Sequence, residues 1–478
     1  MFKSKQHEKH KKKSKINLRH IQDSDIIVAI ITPPGEGGVA ALRLVGKNCL
    51  AFLQRHFQSA SLNKKSFAPF VMRYGYFVDV HNDIVDEIMA VFMPAGKSYT
   101  GQNQVEIFCH GGRKVVQLIL DEFIADGARV AEPGEFTKMA FLSGRIDLTH
   151  AEAVAEVIAA DTDTSYKAAR EHLVGTYQQQ IDRLQNDLIN ILAEVEASID
   201  YPEEEIDTAD KERLLRATDI IMLQLKELAD TYQSGRIINE GFRIAIGGRP
   251  NAGKSSLFNL LLKQQRALVT PQAGTTRDYL SEWIELGGFK VNLIDTAGLR
   301  QGGGVVEKEG QKSARKIIDS SHLLLWMIDL TQKTWQKNLK TDINLLKKHH
   351  IVLLGNKIDV VEASSLKNHN VKEKEILLIS CKTGKGINNL KNKISEIINE
   401  SMPDLTSGLV VTSARHRQKL MTALKYLKKA KIKIKTDETP ELTAFELRQA
   451  LNALEEITGK VYNEDILDRI FSKFCIGK

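Results

Sequence analysis

Nine residues, Gly248 to Ser256 ("GRPNAGKSS"), set a glycine-rich turn, a lysine and a hydroxyl at the spacing G-x-x-x-x-G-K-S. They follow the apolar run "FRIAIG", so a strand leads into the turn and the turn into a helix. In that context the backbone N–H groups of Asn251, Ala252, Gly253, Ser255 and Ser256 can wrap phosphates at a helix N-terminus. Lys254 adds positive charge at the terminal phosphates, and the Ser255 hydroxyl can bind Mg2+. Downstream, "DTAG" (Asp295, Thr296, Ala297, Gly298) ends the second strand of this stretch. There a carboxylate can hold Mg2+ through water, and the glycine N–H can meet a γ-phosphate. "NKID" supplies Asn356, Lys357 and Asp359. A carboxylate at Asp359 can accept from both N1–H and the exocyclic amine of guanine, a donor pair that adenine lacks. "SCK" (Ser380, Cys381, Lys382) suits a loop offering a backbone N–H to the guanine O6. Four segments in this order over about 135 residues point to a GTP-hydrolysing site.

The residue that orients the attacking water needs a separate source. Many small GTPases place a glutamine directly after D-x-x-G, but here that position is Leu299, which has no group to hold water. The next loop, "RQGGGVVEKEG", carries Glu307 and Glu309 behind three glycines that let it move. Glu307 is the catalytic candidate; a solvated glutamate at a helix start is the competing reading.

These residues need a parallel sheet to carry them. Between Phe242 and about Glu400, the strands "FRIAIGG", "KVNLIDTAG", "HLLLWMIDL", "HIVLLGNKID" and "EILLISCK" alternate with helical stretches, the pattern of a P-loop GTPase domain over 241–400. Before it, "DIIVAIITPPGEGGVAALRLVG" reads as strand, Pro/Gly turn and second apolar segment, and further short apolar runs make residues 23–143 a mixed α/β domain. From 144 to 240 the character is helical. Ile181, Leu184, Leu188, Ile191, Val195 and Ile199 fall at spacings of three and four, the stripe of a long packed helix. Residues 401–478 return to helical periodicity. The fold class is therefore multidomain α/β, with a GTPase domain inserted into an all-α domain whose halves flank it.

Composition narrows the partners. Residues 1–22 hold seven lysines, one arginine and one glutamate, which accounts for the whole formal charge of +7; the remaining chain has 59 basic and 59 acidic residues. The charge thus describes a basic tail read as disordered, with an RNA-contacting arm as the alternative. The tail has no apolar core of a secretory signal, and no apolar run is long enough to cross a bilayer. The four cysteines lie far apart with no C-x-x-C pair, which fits a reducing, cytoplasmic setting.

The set "GRPNAGKSS", "GTTRD", "DTAGLR", "NKID" and terminal "CIGK" resembles the MnmE (TrmE) family of tRNA-modification GTPases. The likeness extends to "TPPGEGGVAALR" and to "PGEFTKMAFLSGRIDL" at 133–148 and covers nearly everything after the tail. It implies a K+-activated, Mg2+-dependent GTPase that works as a homodimer. Together with an MnmG-type flavoprotein, which carries the FAD, it would form a heterotetramer that builds a carboxymethylaminomethyl-type group at carbon 5 of the wobble uridine of certain tRNAs. By position, Asn251 with Thr270, Gln272 and Thr275 matches the K+ shell. Pro271, Ala273 and Gly274 complete that nucleotide-contacting loop, and Thr276 joins Ser255 as an Mg2+ ligand. Glu307 matches the catalytic glutamate. The amino-terminal domain resembles a tetrahydrofolate-binding fold, with Arg43, Glu106, Arg145 and Lys478 at the contacts to a 5-formyl- or methylene-tetrahydrofolate. Family members often carry Lys where this chain has Arg145; both are cationic donors of different geometry. The alternative function is a GTP-dependent switch in RNA or ribosome assembly without covalent chemistry, which shares the GTPase motifs but not the folate residues or Cys475.

Three features remain. In "FCHGG", Cys109 and His110 are adjacent on a strand and face opposite ways, so they form no catalytic pair. "KYLKKAKIKIK" at 425–435 is either a solvated helix face or an RNA-contacting surface. The terminal "CIGK" places Cys475 where a prenylation acceptor would stand, but Gly477 and Lys478 do not suit such an anchor. A core thiol and a reactive thiol stay open, and as a catalytic group Cys475 is the candidate the family tail implies.

Overall fold

The computed structural model of the chain describes residues 25–60, 67–200, 208–264, 280–296, 315–346, 350–361, 376–402 and 409–478. The basic tail, the Thr270–Thr276 loop, Ala297, Gly298, Leu299 and Glu307 lie outside the described residues. By internal contacts the chain forms two units, Met1–Glu152 with Gly459–Lys478, and Ala153–Thr458.

The first unit is built on a seven-stranded sheet of order β3-β4-β5-β6-β2-β1-β7. Its strands are β1 (Ile27–Ile30), β2 (Gly37–Val45), β3 (Phe57–Ser59), β4 (Arg73–Val78), β5 (Ile84–Met93), β6 (Gln104–Gly111) and β7 (Arg129–Val130). All pairings are antiparallel except the parallel β1–β7 pair. Alternation along β2 decides what each face carries. Ala40, Leu42 and Leu44 enter a core with Val105 and Ile107, closed by α1 (Cys49–Arg55) and α2 (Arg113–Ala125) through Leu53, Ile119 and Phe123. Val45, with Ile27 and Ala29, meets Phe136 and Met139 of α3 (Glu135–Leu142) on the opposite face. That second face receives Arg43. On β6, buried Cys109 reaches the Ala40 carbonyl while exposed His110 pairs with Asp86, the opposed orientation expected of strand neighbours.

In the second unit, helices from both ends of the segment share one core. Ile181, Leu184, Leu188, Ile191 and Val195 of α6 (Thr176–Asp200) pack with α7 (Thr208–Asp230), α12 (Ala414–Lys435) and α13 (Pro440–Thr458), with Ile199 half-buried at the rim. The GTPase sheet is therefore an insertion within a helical domain. Its order is β13-β12-β11-β8-β10-β9, from β8 (Phe242–Gly248), β9 (Leu280–Leu286), β10 (Phe289–Asp295), β11 (Leu323–Asp329), β12 (Ile351–Asn356) and β13 (Ile376–Leu378). Five strands are mutually parallel and leave their C-terminal ends along one edge, where loops can assemble a site.

β9 goes beyond the sequence reading. Its glutamates interrupt the apolar pattern, so "LSEWIEL" lacks the continuous run of the buried parallel strands. It pairs antiparallel with β10 across Gly287 and Gly288, both at positive φ, as a tight hairpin turn requires. Asp295 thus ends the third strand of this sheet in chain order, not the second.

Candidate functional site

The phosphate loop connects β8 to α9 (Lys254–Gln264). Gly253 has a φ of +101°, and a Cβ there would lie 2.3 Å from Asn356 Nδ2, so the loop closes around a residue with no side chain. Asn251 also has a left-handed φ, +60°. Asn356 ties two motifs together: its Nδ2 donates to the Ala252 carbonyl at 2.9 Å, and its Oδ1 accepts from the Cys381 N–H at 3.1 Å. This amide bridges the phosphate loop and the "SCK" loop.

Ser255 Oγ donates to Asp295 Oδ2 at 2.7 Å, with Asp295 fully buried at the end of β10. A hydroxyl and a carboxylate converging on one point are the hard oxygen donors that suit Mg2+. Lys254 is nearly buried, and its Nζ donates to the Arg249 carbonyl at 3.0 Å. The Thr296 hydroxyl donates to the Ile246 carbonyl, tying the end of β10 to β8.

At the ends of β12 and β13, Ser380 Oγ donates to Asp359 Oδ1 at 2.6 Å. That bond, with Lys382 and Lys357 nearby, holds the Asp359 carboxyl below the usual carboxylate range against a smaller opposing effect of burial. The second oxygen is left to accept from a base. Lys357 stands at φ +70° and donates to Asp329 Oδ2 at 2.7 Å, which fixes its extended stem. Burial pushes Asp329 up, but the bonds from Lys357 and Thr331 outweigh it and leave the group lowered. Burial, with the nearby Asp359 carboxylate, pushes the Cys381 thiol up to about 11, which keeps it in the thiol form near neutral pH.

Asn251, Gly253, Lys254, Ser255, Ser256, Asn356, Lys357, Asp359, Cys381 and Lys382 line one cavity of about 830 Å3, a size that holds a nucleotide. Asp329 is absent from the sequence reading because it enters through its bond to Lys357; the final Asp of "LWMID", at a strand end level with Asn356, is the signal that could have revealed it.

The other predicted constellation lies in the first unit. Arg43 and Glu106 are direct cross-strand partners, joined at 2.7 Å and 3.0 Å through Nη2 and Nε. Fully buried Gln104 also donates to Glu106, at 3.0 Å. The Arg43 guanidinium lies 5.2 Å from the Tyr99 ring and 5.4 Å from the Phe136 ring, so the charged pair is framed by aromatic faces. Phe136 links this pair to the terminal tail. Its N–H, one of the unsatisfied donors in the first turn of α3, donates to the Lys478 main-chain oxygen at 3.1 Å, while the Gly134 N–H donates to the Cys475 carbonyl at 3.3 Å. Cys475 itself is exposed. Arg145 lies past the other end of α3 and donates to the Gly96 carbonyl at 2.9 Å, in the loop that carries Tyr99. The structure thus brings Arg43, Glu106 and the tail around Phe136 and connects Arg145 to them through the 94–103 loop. Tyr99 and Phe136 were not legible as site residues: a ring at helical or loop spacing reads as core.

Comparison with known proteins places these features in a family. Residues 148–475 match the MnmE helical domain, and residues 26–145 match the GTP-binding protein TrmE N-terminus. The chain is 39% identical over 461 residues to a protein named tRNA modification GTPase MnmE from Carboxydothermus hydrogenoformans, covering 95% of this chain and 99% of that one. A protein of the same name from Aquifex aeolicus is 38% identical over 95% of this chain and 99% of its own length. Part of the chain is also similar to the G domain of the T. maritima FeoB iron transporter: 26% identical, 33% of this chain, 98% of that one, TM-score 0.25.

Proposed function

This chain belongs to the MnmE family of tRNA modification GTPases, and from that premise we propose a specific division of labour among its residues. The chain is a GTP hydrolase active in tRNA modification. Its base specificity rests on Asp359, held ionised by Ser380, and on Asn356, which couples base recognition to the phosphate loop. Lys254 neutralises the terminal phosphates. Ser255, converging with Asp295, would hold Mg2+, which supplies charge neutralisation at the β- and γ-oxygens; Thr276 is the second ligand by family position.

Asn251 faces the same cavity, and together with Thr270, Gln272 and Thr275 it would hold K+. A monovalent cation beside the phosphates takes the part of an arginine finger, worth roughly 10^3 to 10^5 in rate. Glu307 orients the attacking water, since Leu299 offers no polar group. GTP-driven closing and opening of paired GTPase domains then gates the modification step.

In the first unit, Arg43, Glu106, Arg145 and Lys478 would hold a tetrahydrofolate derivative, which supplies a one-carbon unit. Glu106 is an acceptor for pterin N–H groups, and the partly exposed Tyr99 ring suits a flat heterocycle. Cys475, exposed on the tail anchored to α3, is the candidate for a direct chemical part in the transfer. The working assembly is a homodimer with an MnmG-type flavoprotein, acting in the cytoplasm on the wobble uridine. The exposed Phe70, Met72, Tyr74 and Met89 on and beside β4 and β5 give the first unit an apolar surface for self-association. Among the described residues no helix is long and apolar enough to cross a membrane.

The carrying observation is the cavity that gathers the phosphate, Mg2+ and guanine residues. The deciding experiment is mass spectrometry of tRNA nucleosides from cells lacking the chain, with complementation by wild type and by Cys475→Ser. Loss of the wobble modification with rescue by wild type alone is expected. Unchanged wobble uridines would leave the assembly-switch reading. GTP turnover equal in KCl and NaCl would remove K+ from the mechanism.

A further inference from the structure

Helix α12 carries nine arginine and lysine residues and no acidic one. Six of the nine are held within the protein. Arg415 donates to the Glu456 and Ile457 carbonyls, Arg417 lies over the Tyr232 ring, and Lys419, Lys429, Lys431 and Lys433 pair with Glu456, Glu446, Asp219 and Glu438. These six explain most of the basic run as the charged seam between α12 and its neighbours.

Lys425, Lys428 and Lys435 are different. All three are exposed, and none has a carboxylate partner among the described residues. At 3.6 residues per turn they share an arc of about 80° with Met421 and Ile432 and span roughly 15 Å along the helix. Met421 is 44% exposed and Ile432 58% exposed, so this arc is the outward face of α12. On the adjoining helix α13, Phe445, next to the Lys429 partner Glu446, is 56% exposed and offers a ring for an unstacked base.

We propose that Lys425, Lys428 and Lys435 form a phosphate-contacting row for the backbone of the substrate tRNA. A row of unpaired ammonium groups at this spacing meets successive phosphates of a strand running along the helix, and releases their condensed counterions. The interleaved Met421 and Ile432 fill the contact without adding charge. The row carries no sequence information: it fixes where the RNA lies, and base recognition falls elsewhere. The inference rests on the tRNA-directed activity of the family and adds the site to it.

The test measures binding of unmodified tRNA transcript to the full chain as KCl is raised, for wild type and for the triple variant Lys425→Gln, Lys428→Gln, Lys435→Gln. A second triple, Lys333→Gln, Lys337→Gln, Lys340→Gln, removes the same charge from exposed positions in and just before α10 (Trp335–Leu345). The α12 triple should lower the slope of log affinity against log salt by about 2 to 3, and weaken binding on the order of 100-fold near 0.1 M salt, with GTP turnover unchanged. The second triple should leave the slope as in wild type. Equal slopes for wild type and the α12 triple overturn the proposal, as does an equal fall in both triples. Intact RNA binding with lost association to the purified flavoprotein partner also overturns it, by making the row a protein-docking face. Failure of the underlying reading looks different: wobble uridines would then be unaltered in cells lacking the whole chain.

Discussion

Arg249 and Asp342 form a two-point ion pair behind the phosphate loop, Nε to Oδ2 at 3.1 Å and Nη2 to Oδ1 at 2.9 Å. The Trp326 indole N–H also donates to Asp342, at 3.3 Å. The main chain of the same arginine accepts the bond from Lys254, so one residue joins helix α10 to the lysine of the phosphate-loop motif. Two parallel bonds fix direction as well as distance, which a lysine at 249 could not reproduce. Asp342→Asn should raise KM for GTP roughly tenfold with a smaller fall in kcat, because it loosens placement and leaves the chemistry intact. Arg249→Lys should resemble it. An unchanged KM in steady-state turnover of both variants would show that the loop holds its shape without this strap.

Guanine recognition should be indifferent to pH across the physiological range. The bond from Ser380 lowers the Asp359 carboxyl relative to its ordinary value of 3.8. A lowered carboxylate contributes fully above that ordinary value and loses its contribution only as pH falls through the lower folded one. GDP affinity should therefore show no titration of Asp359 between about pH 5 and 8. Carboxyl-carbon NMR of Asp359 showing a midpoint in that window would contradict this, and Ser380→Ala should move the midpoint upward.

The GTPase motifs were legible because each is short, contiguous and placed at a strand end, where geometry follows from sequence. Lys254, Ser255, Asp295, Asn356, Asp359 and Cys381 came from four separate segments, and five parallel strands bring them to one edge. Residues that act through another were not legible. Asp329 enters only by bonding Lys357, and Asp342 only by bonding Arg249, across 28 and 93 positions. The same holds for Phe136, whose site role depends on its N–H meeting a tail more than three hundred residues away. Strand β9 was hidden for a different reason: it is an edge strand whose two glutamates, Glu282 and Glu285 on opposite faces, break the apolar run around buried Ile284 and Leu286.

The four thiols should separate cleanly on alkylation. Burial raises Cys49 to about 12, and burial likewise raises Cys109 and Cys381 to about 11. Cys475 is the exposed one. Iodoacetamide near neutral pH should label Cys475 at least about tenfold faster than the others, read by peptide mass spectrometry. GDP should slow labelling of Cys381, which lines the nucleotide cavity, and leave Cys475 unaffected. Cys475 reacting no faster than Cys109 would mean that the tail covers it.

The tail that bonds the start of α3 passes the end of β1 at a glycine. Gly477 has a φ of +93°, and a Cβ there would lie 2.4 Å from the Ile30 carbonyl oxygen. Gly477→Ala therefore adds the left-handed penalty of about 1 to 2 kcal/mol to a clash with fixed backbone. The Cys475 and Lys478 oxygens should then leave the Gly134 and Phe136 N–H groups, carrying the tail away from the start of α3. GTP turnover should stay within about twofold of wild type, because among the described residues lining the nucleotide cavity none comes from the tail. Wobble-uridine modification should fall by at least about tenfold, the loss expected when a reacting group is misplaced by an ångström or more. Cells complemented with Gly477→Ala and showing full modification would separate the thiol from the chemistry and leave the tail as a cap on α3.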